Sequence, residues 1–322
     1  MYMFKYILKR IGLMILTFSI IMVICFVLIK LVKLPEAVGL GEDKDKLRAL
    51  YAARGWNKPI LYQLFLYVKR IILYGDFGMG YKIYQFKPVI DIFVTLLPPT
   101  ILINIYSSLS AVPIGLALGI FAALKKNKWQ DHVISTGVMV LISVPSFVYA
   151  FLILYLLCFK WDLFPQGLYS LAEVGGSYLS WKMFVSMLPP VFSLAIGSIA
   201  GYTRYTRAEL TEVLTSEFML LARTKGLTKR QATIRHALRN AMVPIFPMII
   251  GEFIGVLSGS LVIEKIFEIP GVGGLYLNAI NNRDYDFYMF LSGFYILISL
   301  AAGLIVDLSY GFIDPRIRMG AK

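Results

Sequence analysis

Six long apolar runs organise the chain, at about 11–34, 96–124, 133–159, 183–203, 243–263 and 287–310. Each is continuous over a helical length, unlike the short alternating segments of a membrane-spanning strand. Roughly 20 apolar residues carry a helix across a bilayer, and a helix satisfies its own backbone there. The pattern predicts an all-α polytopic membrane protein with six transmembrane helices. The polar stretches between the runs divide it into an N-terminal region with the first helix (1–34), an extracytoplasmic segment (35–95), a five-helix core (96–310) containing a long loop at 204–240, and a tail (311–322). Within 35–95 the pattern predicts short amphipathic helices at Lys44–Arg54 and Ile60–Leu73, then a glycine-rich turn from Gly75 to Gly80. That segment either caps the bundle or meets an external partner.

Composition sharpens the class. The 322 residues are 58% hydrophobic and 16% charged, against about 45–50% and about 25% in soluble domains. A water-soluble enzyme and a disordered chain are both poor readings of that balance. Cys25 and Cys158 fall inside apolar runs, which excludes a disulfide framework and a cysteine zinc cluster. His132 and His236 stand apart from other ligand-type residues, so no metal site is expected.

The net charge of +13 reads as membrane topology, and no nucleic-acid partner is expected. Lys5, Lys9 and Arg10, then Lys125, Lys126 and Lys128, the eight basic residues from Arg204 to Arg239, and Arg316, Arg318 and Lys322 fall on one side. The positive-inside rule puts that side, with both termini, in the cytoplasm. Lys160, Lys182, Lys265 and Arg283 occupy the other side's short loops, and Lys30 and Lys33 run against the rule. The first run is too long for a secretory signal and has no small-x-small cleavage pattern, so it reads as an anchor.

Within the runs, Gly115/Gly119, Gly197/Gly201 and Gly251/Gly255/Gly259 form four-residue ladders. Such ladders let helix backbones approach closely, within the chain or at a subunit interface. Prolines at 98–99, 189–190, 244 and 247 are read as marking helix ends, the last pair kinking the fifth span. Glu252 is the one ionisable residue clearly at mid-span. It either lines a translocation path or bonds a neighbouring helix. Asp307 reads as interfacial and Glu264 as a structural contact.

The loop at 204–240 is several times longer than the 2–8 residues usual between bundle helices. Ser216 and Glu217 can start a short helix by capping and by favourable charge. Phe218, Leu221 and Ala222 then share one face, Lys225 sits in the last turn, and Gly226 can end the helix in a left-handed conformation. Thr228 and Gln231 form a capping box for the next helix, which Ile234, Ala237 and Leu238 continue. The residues alone leave three roles open for this basic-ringed apolar knob: docking in a groove of another protein, resting on anionic lipid, or facing solvent.

The run from Ala222 to Leu227, followed by Arg235 to Ala241 and Pro244, resembles the cytoplasmic loop of oligopeptide/dipeptide-type ABC import permeases. Phe267 to Gly274, then Arg283-Asp284-Tyr285, is similar to that family's loop after the fifth span. Val262-Ile263-Glu264 and Asp314-Pro315-Arg316 fit as well. Tyr6 to Arg10 and Leu96 to Thr100 match its B-type membrane subunit. Two positions depart: Leu220-Leu221-Ala222 replaces the wider superfamily's Glu-Ala-Ala, as is common in the peptide branch, and Pro35-Glu36-Ala37 stands where Pro-Gly-Asp-Pro is frequent.

The resemblance implies a type I importer permease architecture. Its coupling helix, carried by Ser216, Glu217, Phe218, Leu221, Ala222, Arg223, Lys225, Gly226 and Leu227, would dock in an ATPase subunit. The implied assembly has a second homologous permease as heterodimer partner, two ATPase subunits and an external peptide-binding protein, in membrane lipid. ATP and Mg would be bound by the ATPases and no cofactor by this chain, which is therefore not read as an enzyme. Consistently, the sequence has no Gly-Lys pair and hence no phosphate-cradling loop. The alternatives are a same-branch permease for nickel or another small cargo, or, in a different class, a secondary transporter or channel.

Overall fold

The structure, a computed structural model, describes residues 2–31, 49 and 52–313. The Pro35 stretch, most of the predicted Lys44–Arg54 helix, Lys33, and the basic tail with Asp314-Pro315-Arg316 lie outside the described residues. Described helices are α1 (Tyr2–Leu31), α2 (Ile60–Tyr74), α3 (Val89–Leu124), α4 (Trp129–Ser143), α5 (Ser146–Ile153), α6 (Trp181–Leu214), α7 (Glu217–Thr224), α8 (Lys229–Ala232), α9 (Leu238–Gly255), α10 (Leu261–Ile266), α11 (Val272–Asn281) and α12 (Tyr285–Ile313). Extended pairing among the described residues is limited to one bridge, Met79 to Pro88.

Five stretches are long and apolar enough to cross a bilayer: Lys5–Leu31, Val89–Leu124, Trp181–Leu214, Lys229–Ser258 and Tyr285–Tyr310. The third run departs from the expected straight span. It forms α4 and then α5 with a π-helical extension to Lys160, bent by 97° at the break. Val144 there is extended (φ −93°, ψ 126°) before Pro145, as expected of a residue preceding proline. The other prolines correct the helix-end reading, because Pro189 and Pro190 lie inside α6 and Pro244 and Pro247 inside α9. Pro98 and Pro99 are likewise interior to α3. Neighbouring helices and hydroxyl side chains make interior proline tolerable in such segments. The fifth run also ends early: α9 closes at Gly255, and Gly259 (φ +66°) turns the chain into α10.

The chain forms two compact units, 1–98 with 271–301, and 99–270 with 302–322. In the first, Val89, Phe93, Val272, Leu275, Phe287 and Leu291 make one apolar core. Phe26, Ile29, Tyr67, Tyr81, Tyr285 and Met289 make another. Polar groups tie the intervening loop to the start of α12. The backbone N–H groups of Tyr81, Lys82 and Ile83 donate to Asp284 Oδ2 at 3.0, 2.8 and 3.1 Å, and that of Met79 donates to Asp286 at 3.2 Å. Gly78 (φ +102°) is required beside Asp286, because a Cβ there would overlap its carboxylate. Lys30, the exception to the charge rule, is turned into an aromatic cage. Its Nζ lies 3.7 Å from the Tyr285 ring centre and 4.3 Å from that of Trp56.

The second unit is organised on α6. Gly115 and Gly119 of α3 lie against it so closely that an added Cβ would fall 2.6 Å from Tyr202 Cβ or Thr206 Cβ. This is the one predicted ladder that packs within the chain along its length. Gly197, Gly201 and Gly255 meet nothing within 4 Å, Gly251 makes only ordinary contact with Val306, and Gly259 is outside the helix. Also on α6, Arg207 forks onto both oxygens of buried Asp131 in α4, the Nη2 bond being 2.7 Å. Asn127 N–H and Ser135 Oγ also donate to that carboxylate.

Candidate functional site

Two features of the second unit carry candidate chemistry. The first is α7 with its flanks. Ser216 occupies the N-cap position, but its hydroxyl donates to Val213 O at 2.6 Å and does not cap, which corrects the expected role. The turn is closed by backbone instead, Met219 N–H donating to Ser216 O at 3.1 Å. Glu217 lies in the first turn and Arg223 in the last, both favourable to the helix dipole. Gly226 has φ +90° and follows the helix end, the left-handed conformation expected of it. The Thr228–Gln231 capping box is formed in both directions.

The apolar face divides differently from the sequence reading. Ala222 is buried, together with Met219, on a platform of Ala123, Leu210, Ala232, Ala237 and Ala241. Phe218, Leu220 and Leu221 stay 42%, 66% and 55% exposed. Grouping Phe218 and Leu221 with Ala222 therefore joined an outward arc to an inward one. Met219, the residue that seats the helix, was missed, although its three-residue spacing to Ala222 was a visible signal. Leu227 is half-buried against the same platform. Arg223, Lys225, Lys229, Arg230, Arg235 and Arg239 of the same loop are all exposed. The result is a three-residue apolar patch, fixed from behind by a mostly small-side-chain platform, in a loop that exposes these six cations.

The second feature is a cavity of about 290 Å³ between α3, α6 and α9. Its polar wall is Asn104, Ser107, Ser108, Ser198 and Glu252. Ser198 Oγ donates to Glu252 Oε1 at 2.8 Å. Glu252 thus bonds a neighbouring helix, as one sequence reading expected, and also lines a cavity. Gly255 also lines the cavity, where its lack of a side chain leaves space. Glu264 is buried apart from this site and accepts from Thr100 Oγ1 at 2.9 Å, a structural contact between α10 and α3. The Asp131–Arg207 pair had no sequence signal, since Asp131 sits in a polar stretch that reads as a loop.

A family model described as "binding-protein-dependent transport system inner membrane component" matches residues 115–319, more than half the chain. The chain is 33% identical over 317 residues to the dipeptide transport system permease protein DppB of Lactococcus lactis subsp. cremoris, covering 98% of this chain and 100% of that protein. It is 34% identical over 327 residues to the protein of the same name in Bacillus subtilis, covering 99% and 100%. The oligopeptide transport system permease protein OppB of Salmonella typhimurium is 34% identical over 319 residues, covering 98% and 100%.

Proposed function

The chain belongs to the family of binding-protein-dependent transport system inner membrane components, with the type I ABC importer permease fold, and from that premise we propose that it is the permease subunit of an ATP-driven importer of dipeptides or oligopeptides. It is a multi-pass membrane protein and a component of a multi-subunit system. The names of its relatives supply the cargo class. We assign it one half of the translocation path, a second homologous permease forming the other. Two ATPase subunits stand on the cytoplasmic side and a peptide-binding protein outside. Both termini face the cytoplasm, as the basic residues beginning with Lys5, Lys9 and Arg10 favour. Nucleotide and Mg belong to the ATPases.

The observation that carries the coupling assignment is the exposed arc of Phe218, Leu220 and Leu221 on a helix whose other face is locked to its own chain. A patch fixed in this way transmits a push, because interiors are close-packed and do not deform continuously. Binding of the arc in an ATPase groove gives the nucleotide state a differential grip on two packings of the bundle, which alternating access requires.

Phe218→Asp and Leu221→Asp test this in the reconstituted importer, because both positions are exposed and add no burial cost. Each is expected to lower peptide uptake by roughly tenfold or more, the loss of one well-packed interface contact. Membrane abundance should stay at the wild-type level. Wild-type uptake by both variants contradicts the assignment. Gly226→Pro should act alike, since proline fixes φ near −65° where the chain needs +90°.

A further inference from the structure

Among the described residues, the cavity holding Glu252 is lined by one carboxylate and no cationic side chain. Glu252 accepts one hydrogen bond, from Ser198, and no cationic side chain pairs with it among the described residues. An ionised carboxylate offers about four acceptor sites, so most of its capacity is open to the cavity. A carboxylate inside a membrane-spanning helix ordinarily faces a cavity or a partner and marks a ligand or ion path. The rest of the wall matches. Ser107 and Ser108 of α3 are almost fully buried yet border the cavity. Asn104 uses its amide N–H on Thr100 O at 2.7 Å, which leaves its carbonyl oxygen as an acceptor.

We infer that this cavity is a subsite for a primary ammonium group, and specifically for the α-ammonium of a peptide in transit, with Glu252 as the counter-charge and Ser198 as the residue that orients it. Three N–H donors on a compact cation suit one free carboxylate oxygen plus neutral oxygens from Ser107, Ser108 and Asn104. A guanidinium asks for both carboxylate oxygens side by side, and Oε1 already spends one of its acceptor sites on Ser198. A divalent cation commonly takes six or more oxygens, and the nearest such set here has a single carboxylate. The inference rests on the peptide-importer reading and adds to it the feature of the cargo that is recognised: the amino terminus, which every unmodified peptide carries whatever its side chains. One charge contact in a cavity of this size also suits passage, since a path must bind its cargo and then release it.

The test uses the whole importer in proteoliposomes, with a binding protein first shown to hold each cargo. The cargoes are trialanine, N-acetyl-trialanine and N-acetyl-Ala-Lys-Ala. Wild type should carry trialanine roughly tenfold faster than its acetylated form, the worth of one charged hydrogen-bonded contact. Glu252→Gln should remove that preference by slowing trialanine alone, and Ser198→Ala should reduce it by a smaller factor without disturbing the helices. Faster transport of N-acetyl-Ala-Lys-Ala than of N-acetyl-trialanine, lost in Glu252→Gln, would show that a side-chain ammonium also enters the subsite. The inference is overturned if Glu252→Gln keeps the preference or slows all three cargoes equally. If wild type carries none of them while ATP is hydrolysed, the importer reading falls first and the subsite with it.

Discussion

At the scale of single residues, two buried carboxylates set local behaviour in opposite ways. Asp131 is fully compensated: Arg207 forks onto it, and Asn127 and Ser135 supply two more donors. Breaking such a pair leaves a charge without its partner, at about 3–5 kcal/mol when both are buried. Arg207 keeps 32% of its side-chain exposure, so Asp131→Asn should cost about 2–3 kcal/mol, read as a fall in the melting temperature of the detergent-purified protein. Adding Arg207→Met should restore more than half of the loss, whereas simply additive losses would mean the pair is not coupled. Asp284 is less well compensated. Burial pushes its carboxyl up to about 6, against three backbone N–H bonds that pull it down, and Oδ1 has no hydrogen-bond partner among the described residues. Its folded value lies above the unfolded value of about 3.9, so the folded state holds the proton more tightly. The stabilisation from that proton is complete below about pH 4 and is lost as pH rises through 6. Asp284→Asn should therefore melt higher relative to wild type at pH 7.5 than at pH 4.5, and an unchanged difference would contradict the assignment.

At the scale of elements, close packing and open faces make separable predictions. Gly119→Ala drives a Cβ to within 2.6 Å of Thr206 Cβ and 2.8 Å of Thr203 O, an overpacking expected to cost about 1–3 kcal/mol. Gly197→Ala meets nothing within 4 Å and should be neutral or slightly stabilising in the melting of the isolated chain. Equal effects would refute the α3–α6 crossing. The two ladders look alike in sequence because spacing places residues on a face but does not say what lies opposite. The same limit governs the prolines. Valine precedes both Pro145 and Pro244, yet the chain breaks by 97° at the first and remains helical through the second, so packing decides what the dipeptide leaves open. Around α7, by contrast, Gly226 and the Thr228–Gln231 box were legible because backbone angle and capping are local. That Met219 and Ala222 share a face was visible in their spacing, but that this face turns inward was not, because it depends on Ala123, Leu210, Ala232, Ala237 and Ala241 outside the helix.

At the scale of the whole molecule, hydropathy was sufficient for the all-α membrane class and for the number of apolar runs, since a bilayer imposes length and apolarity together. It did not yield the bend in the third run, the end of the fifth at Gly255, or the loop strapped to Asp284 and Asp286, the last held by hydrogen bonds between residues far apart in sequence. Glu252 stood out in the sequence as a lone mid-span charge, while the hydroxyls that make its cavity did not, because serine is unremarkable in such helices. The account as a whole turns on α7 being held by a separate ATPase. A photo-crosslinking side chain introduced at Leu221, in membranes carrying the complete importer, tests that contact directly. The prediction is a covalent adduct with the nucleotide-hydrolysing subunit whose yield changes between nucleotide-free and ATP-trapped states. Adducts with lipid alone, in either state, would contradict it.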